Sequence, residues 1–220
     1  MKTYCIIPAY NEEKTIKEVL EKIKPLVSEI VVVDDGSTDN TFKLAKDQGV
    51  TVLKHIINRG QGAALQTGNQ YALINRADIV VHFDADGQFM GEEIKDIIKP
   101  IAQGKADVVF GSRFLSKKSY IPYFKKYIIL PLARLVNKLF LGVNLTDPQA
   151  GFRAMSAKAI KKITIEHNSM AHCSEIMYKT IKFNLKYQEV PITVIYKNFG
   201  QRFGGGIKIL KDLLLARLLN

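Results

Sequence analysis

The stretch Ile79-Val80-Val81-His82-Phe83-Asp84-Ala85-Asp86-Gly87-Gln88 constrains this chain more than any other. Its β-branched and aromatic run predicts a buried strand. The run ends in two carboxylates separated by one small residue. Side chains alternate across an extended backbone, so residues i and i+2 share a side. Asp84 and Asp86 are therefore expected to face one point at the strand's carboxyl end. Like charges placed there repel unless a cation lies between them. A hard divalent ion with oxygen ligands, Mg2+ or Mn2+, suits that point and keeps positions for substrate phosphates. The same residues also suit a solvated Asp-Ala-Asp-Gly turn, and the stretch alone leaves both readings open.

The surrounding chain repeats one pattern. Thr3 to Ile7 reads as a strand, and Thr15, Ile16, Val19, Leu20 and Ile23 follow at helical spacing. Glu29 to Val33 is a second strand, with a short helix around Phe42, Leu44 and Ala45. Val50 to Ile57 is a third strand, and a helix is predicted from Ala63 to Asn75. The acidic strand comes fourth, then a helix through Ile94, Ile97, Ile98 and Ile101, then a strand at Val108 to Phe110. Strands and helices alternating over short loops predict a parallel sheet covered on both faces. Ligands of such sheets bind beyond the strands' carboxyl ends. Here those ends carry Asn11-Glu12, Asp34-Asp35, Asn58-Arg59, Asp84-Asp86 and Ser112-Arg113. Solvated loops are polar too. Paired acids, Gly-rich backbone and arginine together are what a metal-bound diphosphate requires.

Charge adds a partner class. The chain of 220 residues has 32 Lys and Arg against 21 Asp and Glu, a formal net charge of +11. An anionic partner is expected: nucleic acid, an anionic membrane surface, or phosphorylated small molecules. The length suits a single domain over residues 1–220, whose halves, residues 1–115 and 116–220, differ in character. Cys5 and Cys173 form no CxxC pair and are expected as reduced thiols of a cytoplasmic protein. No signal peptide or spanning helix is visible; the apolar run Tyr127 to Leu145 is interrupted by Arg134 and Lys138.

The second half changes character. Lys117 to Lys126 mixes Lys with Tyr and Phe, and Ile128, Leu132, Leu135, Val136, Leu139 and Phe140 form a helical stripe. Such a basic amphipathic segment suits a membrane surface, and equally an ordinary core-packing helix. Thr146 to Arg153 reads as a polar turn, Ala154 to Ser156 as the start of a short strand or helix. A helix is expected from Ser174 to Asn184 and a late strand from Glu189 to Tyr196. The Gly-rich stretch Phe199 to Gly206 precedes an amphipathic helix, Ile207 to Leu219.

Five motifs occur in order: Pro8-Ala9-Tyr10-Asn11-Glu12, Val32-Val33-Asp34-Asp35-Gly36-Ser37-Thr38-Asp39, Asn58-Arg59-Gly60, Asp84-Ala85-Asp86 and Gly111-Ser112-Arg113-Phe114. As an ordered set they resemble the family 2 inverting glycosyltransferases of the GT-A fold. Asp147-Pro148-Gln149-Ala150-Gly151-Phe152-Arg153 and the basic amphipathic segment bring the chain nearest to the polyprenyl-phosphate (dolichyl-phosphate) mannosyl- and glucosyltransferases.

That resemblance covers nearly the whole chain. It implies an α/β fold with a mostly parallel central sheet flanked by helices, and amphipathic interfacial helices in the C-terminal half. It also implies a hexose passing from a nucleotide diphosphate sugar, GDP-mannose or UDP-glucose in type, to a polyprenyl phosphate. Residues 1–115 become the nucleotide-binding half and residues 116–220 the acceptor- and membrane-facing half, peripheral to the membrane's inner face. Pro8, Ala9, Tyr10 and Glu12 would line the nucleotide pocket, with Glu12 near the base or ribose. Asp35 would accept hydrogen bonds from base or ribose, supported by Asp34; Arg59 and Gly60 would join the donor site. Asp84 and Asp86, around Ala85, would hold Mg2+ or Mn2+, with Gln88 completing the shell. Arg113 would clamp phosphate, and Asp147 would be the acidic candidate base beside the acceptor. Arg202 or Lys208 would reach the donor phosphates, although Gln201-Arg202-Phe203-Gly204-Gly205-Gly206-Ile207-Lys208 matches the family pattern loosely. The Gln-x-x-Arg-Trp motif of processive synthases is missing, which implies single transfer.

Other readings remain. The acceptor could instead be a sugar or protein hydroxyl. A basic nucleic-acid-binding module fits the charge, but no nucleic-acid motif supports it and the acidic strand ends oppose it, so no nucleic-acid partner is expected. A binding scaffold without catalysis is opposed by the intact acidic pair. Gly60-Gln61-Gly62 does not complete a dinucleotide fingerprint, because Leu65 stands at the last glycine position. His82 is read as packed or as tuning the metal site, and Glu175 as a site acid or a helix-surface charge. His167, His172 and Cys173 lack zinc-site spacing.

Overall fold

The computed structural model describes residues 1–115, 145–147, 149 and 151–195. Strand β1 (Thr3–Ala9) is buried along its whole length. Its residues feed two layers by turns: Cys5, Ile7 and Ala9 join one apolar cluster, Tyr4 and Ile6 another. Strand β2 (Glu29–Asp34) divides Ile30 and Val32 from Val31 and Val33 in the same way. Strand β4 (Ile79–His82) divides Ile79 and Val81 from Val80. Both faces of these strands are covered, which is why they read as unbroken apolar runs.

Helices α1 (Ile16–Ile23) and α4 (Ile94–Ala102) close the first layer. The first buries Ile16, Val19, Leu20 and Ile23, an i, i+3, i+4, i+7 stripe. A short helix, α2 (Thr41–Asp47), adds Ala45 to it. Helices α3 (Gln61–Ile74), α5 (Ala157–Lys162) and α6 (His172–Lys182) supply Ala64, Leu65, Ile160, Ile176 and Met177 to the second layer. Gly68 lets α3 cross closely over β1: a Cβ there would run into Ile6.

With β3 (Thr51–Lys54), β5 (Val108–Ser112), β6 (Arg153–Ser156) and β7 (Tyr187–Pro191), the seven-stranded order is β3-β2-β1-β4-β6-β5-β7. Strand β6 runs antiparallel to both β4 and β5; the remaining pairings are parallel. Its register sets Arg153 opposite His82 and Phe110. The start of β6 therefore lies beside the carboxyl ends of β4 and β5, and Gly151, just before it, lies on the ligand side of the sheet against Asp84.

Three sequence expectations are corrected. Strand β4 stops at His82, and Asp84 to Gly87 form a turn in which Gly87 has φ +69°. The two carboxylates thus lie on a turn rather than at alternating strand positions. Strand β3 ends at Lys54, not Ile57, because the His55 ring turns inward to Asp35 and Thr67; Ile56 is left 98% exposed. The late strand spans Tyr187–Pro191, and Val194 makes only an isolated bridge to Phe89. Lys117 to Lys126, the stripe from Ile128 to Phe140, Arg134, Lys138, Arg202, Lys208 and the predicted C-terminal helix lie outside the described residues.

Candidate active site

Five strand-end segments meet at the carboxyl edge of the sheet. Pro8 and Ala9, which end β1, are buried, and Tyr10 just beyond it is 47% exposed. Asn11 has φ +57°, and its side-chain oxygen accepts the Thr38 N–H at 2.9 Å, locking this loop to the one after β2. The Glu12 N–H donates to Thr41 Oγ1 at 2.7 Å, while its carboxyl accepts Thr15 Oγ1 at 2.9 Å. Burial raises the Glu12 pKa; Thr15 opposes the rise and the charges of Asp86 and Asp39 add to it. Glu12 therefore lies in the field of the acidic turn.

Asp35 is organised inward. Its carboxyl is buried and accepts the Arg59 N–H at 2.9 Å, the Gly60 N–H at 2.7 Å, and pairs with His55 Nδ1 at 2.6 Å. These three bonds make Asp35 hold the loop between β3 and α3. Gly60 bends with φ +97°, a conformation only glycine adopts easily, and the Arg59 side chain stays exposed at the mouth. Asp34 is fully buried; Oδ1 accepts the Ser37 N–H at 3.3 Å, while Oδ2 has no hydrogen-bond partner and Lys54 Nζ at 3.9 Å.

At the mouth of β4, Asp84 and Asp86 are partly accessible around the buried Ala85. Surrounding protein withdraws water from Asp84, and the charges of Asp86 and Cys173 add to that; Arg153 and His172 oppose them, leaving a pKa of about 7. Gln61 Nε2 donates to Asp84 Oδ1 at 2.8 Å. Gln88 takes part through its backbone, whose N–H donates to Asp86 Oδ1 at 2.9 Å.

The mouth of β5 is balanced. Arg113 grips Asp147 with two parallel bonds, Nε to Oδ2 at 2.6 Å and Nη2 to Oδ1 at 2.7 Å, and adds its backbone N–H at 3.1 Å. Glu189 Oε1 accepts the N–H groups of Thr146 and Asp147 at 2.8 and 3.2 Å. Arg113 is thus fixed in place by a buried carboxylate. Asp147, only 1% exposed, is poorly placed to take up a proton as a base.

Behind the strand ends lie groups whose roles the sequence did not give, together with His82, which is packed as one of its two readings expected. Arg153 is buried; its Nη2 donates to Cys173 Sγ at 3.1 Å and its Nε to the Gly151 carbonyl at 3.2 Å. Burial pushes the Cys173 thiol up, but Arg153 and His172 outweigh it and bring the pKa to about 6. His82 is packed: Nε2 meets Asn69 Oδ1 at 2.9 Å, and burial, then Arg153 and His172, hold its pKa well below the usual value. Glu175 is neither a site acid nor a surface charge. It is 7% exposed and accepts the N–H groups of Glu166 and His167 at 3.0 and 2.9 Å, together with Lys179 Nζ at 2.7 Å. Only the Gly-Phe-Arg sequence signalled Arg153; nothing local marked Gln61, His55 or Cys173.

Residues 4–164 match the family model described as glycosyl transferase family 2. The chain belongs to this family. The UDP-N-acetylglucosamine–dolichyl-phosphate N-acetylglucosaminyltransferase of Methanococcus voltae is 36% identical to it over 98% of this chain and 96% of that protein. The undecaprenyl-phosphate mannosyltransferase of Micrococcus luteus is 30% identical over 94% of this chain and 89% of that protein. Glucosyl-3-phosphoglycerate synthase of Mycobacterium tuberculosis, solved with Mn2+, UDP and phosphoglyceric acid, has TM-score 0.73 at 21% identity, covering 99% of this chain and 77% of that one. A second complex of that synthase holds Mg2+ and UDP. The enzyme is a glycosyltransferase with the mostly parallel α/β sheet of the GT-A fold. Among the described residues of this glycosyltransferase, no helix is long and apolar enough to cross a membrane.

Proposed function

We propose that this glycosyltransferase moves one hexose, or one N-acetylhexosamine, from a nucleoside diphosphate sugar to a polyprenyl phosphate at the cytoplasmic face of the membrane. Mg2+ or Mn2+ is its cofactor. The observation that carries this reading is the placement of two carboxylates, Asp84 and Asp86, on the turn at the mouth of β4, with Asp84 raised to about 7 by burial and then by the charge of Asp86. The names of the Methanococcus and Micrococcus relatives support the lipid phosphate as acceptor, since both align along almost the whole chain.

The residues present fit a hard divalent ion. Asp84 and Asp86 offer oxygen donors, and a dication removes the repulsion between them. Among the described residues, no cluster of three or more His, Cys, Asp or Glu side chains is poised to hold an ion. Two carboxylates completed by diphosphate oxygens are an ordinary Mg2+ arrangement. When bound, the ion offsets the charge of the departing nucleoside diphosphate.

The remaining chemistry is positioning. Pro8 to Glu12 and the Arg59–Gly60 turn frame the nucleotide end, where Tyr10 offers an aromatic face to the base. Inversion is a single displacement: an acceptor oxygen bonds to the anomeric carbon as the bond to the diphosphate breaks. A phosphate oxygen is already anionic near neutral pH, so it needs orientation more than deprotonation. In this reading Asp147 serves that task through Arg113, whose guanidinium it holds at the acceptor side. Residues 116–220 form the acceptor- and membrane-facing half in this reading, with Arg202 or Lys208 available to the donor phosphates.

A donor screen tests the proposal. GDP-mannose, UDP-glucose and UDP-N-acetylglucosamine are each incubated with a short polyprenyl phosphate and Mn2+ or Mg2+. One lipid-linked monosaccharide is expected from one donor. Transfer only to free sugar or peptide hydroxyls would contradict the lipid acceptor. Flotation with anionic liposomes, compared with a variant replacing Lys125, Lys126, Arg134 and Lys138, tests membrane contact; equal flotation would refute that surface.

A further inference from the structure

Asp84 is held by a neighbour with no charge of its own. Gln61 is the first residue of α3 and donates Nε2–H to Asp84 Oδ1 at 2.8 Å. On another side the carboxyl lies against the Gly151 backbone, where a Cβ would strike Asp84 Oδ2. The carboxyl is thus slotted between an amide and a glycine. A neutral donor steadies one oxygen without supplying the cation that would compete with a metal.

Gln61 is itself set from behind. Gly60 and Gly62, which flank it, press so closely on the backbone of His167 and Asn168 that a Cβ at either would collide with it. The Gly62 N–H donates to the Asn168 carbonyl at 3.0 Å, and the Ile165 N–H donates to Gln66 Oε1 at 2.8 Å. Glu175 then fixes this segment by accepting the Glu166 and His167 N–H groups, and Lys179 secures Glu175 at 2.7 Å. A packed chain of contacts therefore runs from α6 through the Ile165–Asn168 segment and the start of α3 to Asp84.

We propose that Gln61 is a positioning residue for the metal-binding carboxylate: its side-chain N–H sets the orientation of Asp84, and the segment braced by Glu175 sets Gln61. The inference rests on the reading of Asp84 and Asp86 as metal ligands. It is tested by Mn2+ titration followed by electron paramagnetic resonance, with UDP and separately GDP present, on the parent, Gln61→Met and Gln61→Asn. The first variant keeps the length and loses the donor; the second keeps a donor and loses the reach. Both are expected to bind Mn2+ about tenfold more weakly, as is usual when a partner of a metal ligand is removed. Their metal-free melting temperatures should stay within about 2 °C of the parent, since a change at a half-exposed helix start is worth little. Variants that bind Mn2+ within twofold of a parent that binds it overturn the role of Gln61 and leave the metal reading standing, whatever happens to their melting temperatures. A parent that binds no Mn2+ with either nucleotide overturns both.

Discussion

The mouths of β4 and β5 both present buried or half-buried carboxylates, yet they are built on opposite principles. At β5 the charge is closed: Asp147 receives both arms of the Arg113 fork, and Glu189 gathers the neighbouring N–H groups. At β4 it is open to solvent: Asp84 and Asp86 are partly accessible like charges, with the neutral Gln61 amide on Asp84 and Arg153 and His172 set behind. A closed pair is architecture. An open one marks where a ligand must bring the missing charge. The two mouths should therefore fail differently when cut.

The largest effect is expected at the open mouth. Asp86→Asn should lower kcat/KM by roughly 10²–10³-fold, the usual loss when an electrostatic stabiliser of a leaving group is removed. Its metal-free stability should barely change; steady-state kinetics with a parallel melting curve checks both. At the closed mouth the order reverses. Arg113→Ala leaves Asp147 buried without its guanidinium, at a cost of about 3 kcal/mol. That is the low end of the range, because the Arg113 side chain is 25% exposed. The melting temperature should fall by roughly 6–12 °C.

Asp147→Asn sharpens the comparison. It retains shape and part of the hydrogen bonding, so an orienting role predicts a loss of about tenfold in kcat, well below the ~10²–10⁴-fold contribution of a general base. A loss of several orders of magnitude with unchanged acceptor binding would restore Asp147 as the base.

The smallest effect is a pH dependence. Asp84 has a folded pKa of about 7 against an ordinary 3.8. Between those values the folded state holds a proton that the unfolded state releases, so the metal-free protein should lose stability as pH rises through that window. Partial exposure limits the effect to about 1 kcal/mol. Asp84→Asn removes the penalty and should melt about 2–4 °C higher than the parent at pH 8. Equal melting at pH 8 would show that the mouth of β4 is not strained.

Much of this contrast was legible in the sequence, and the reasons are local. Strands β1, β2 and β4 are buried on both faces, so their apolar runs could not be mistaken for surface. Helices α1 and α4 carry single apolar stripes. The acids at the strand ends were correctly placed on one edge, because a parallel sheet sends every carboxyl end the same way. Pairings between distant residues were not legible. Asp35 turns inward because Arg59, Gly60 and His55, more than nineteen positions away, converge on it. Cys173 becomes acidic because β6 brings Arg153 against it and the neighbouring His172 adds to the effect. Strand alternation also failed for Asp84 and Asp86, which lie on a turn beyond the end of β4.

Calorimetric titration of UDP and of GDP, each with and without Mn2+, tests the open mouth most directly. One nucleotide should bind the parent at least tenfold more tightly with Mn2+, and Asp84→Asn should abolish the difference. Binding of equal strength with and without the ion, or a Mn2+ effect that survives in Asp84→Asn, would contradict the assignment of the β4 mouth as the seat of the metal and the diphosphate.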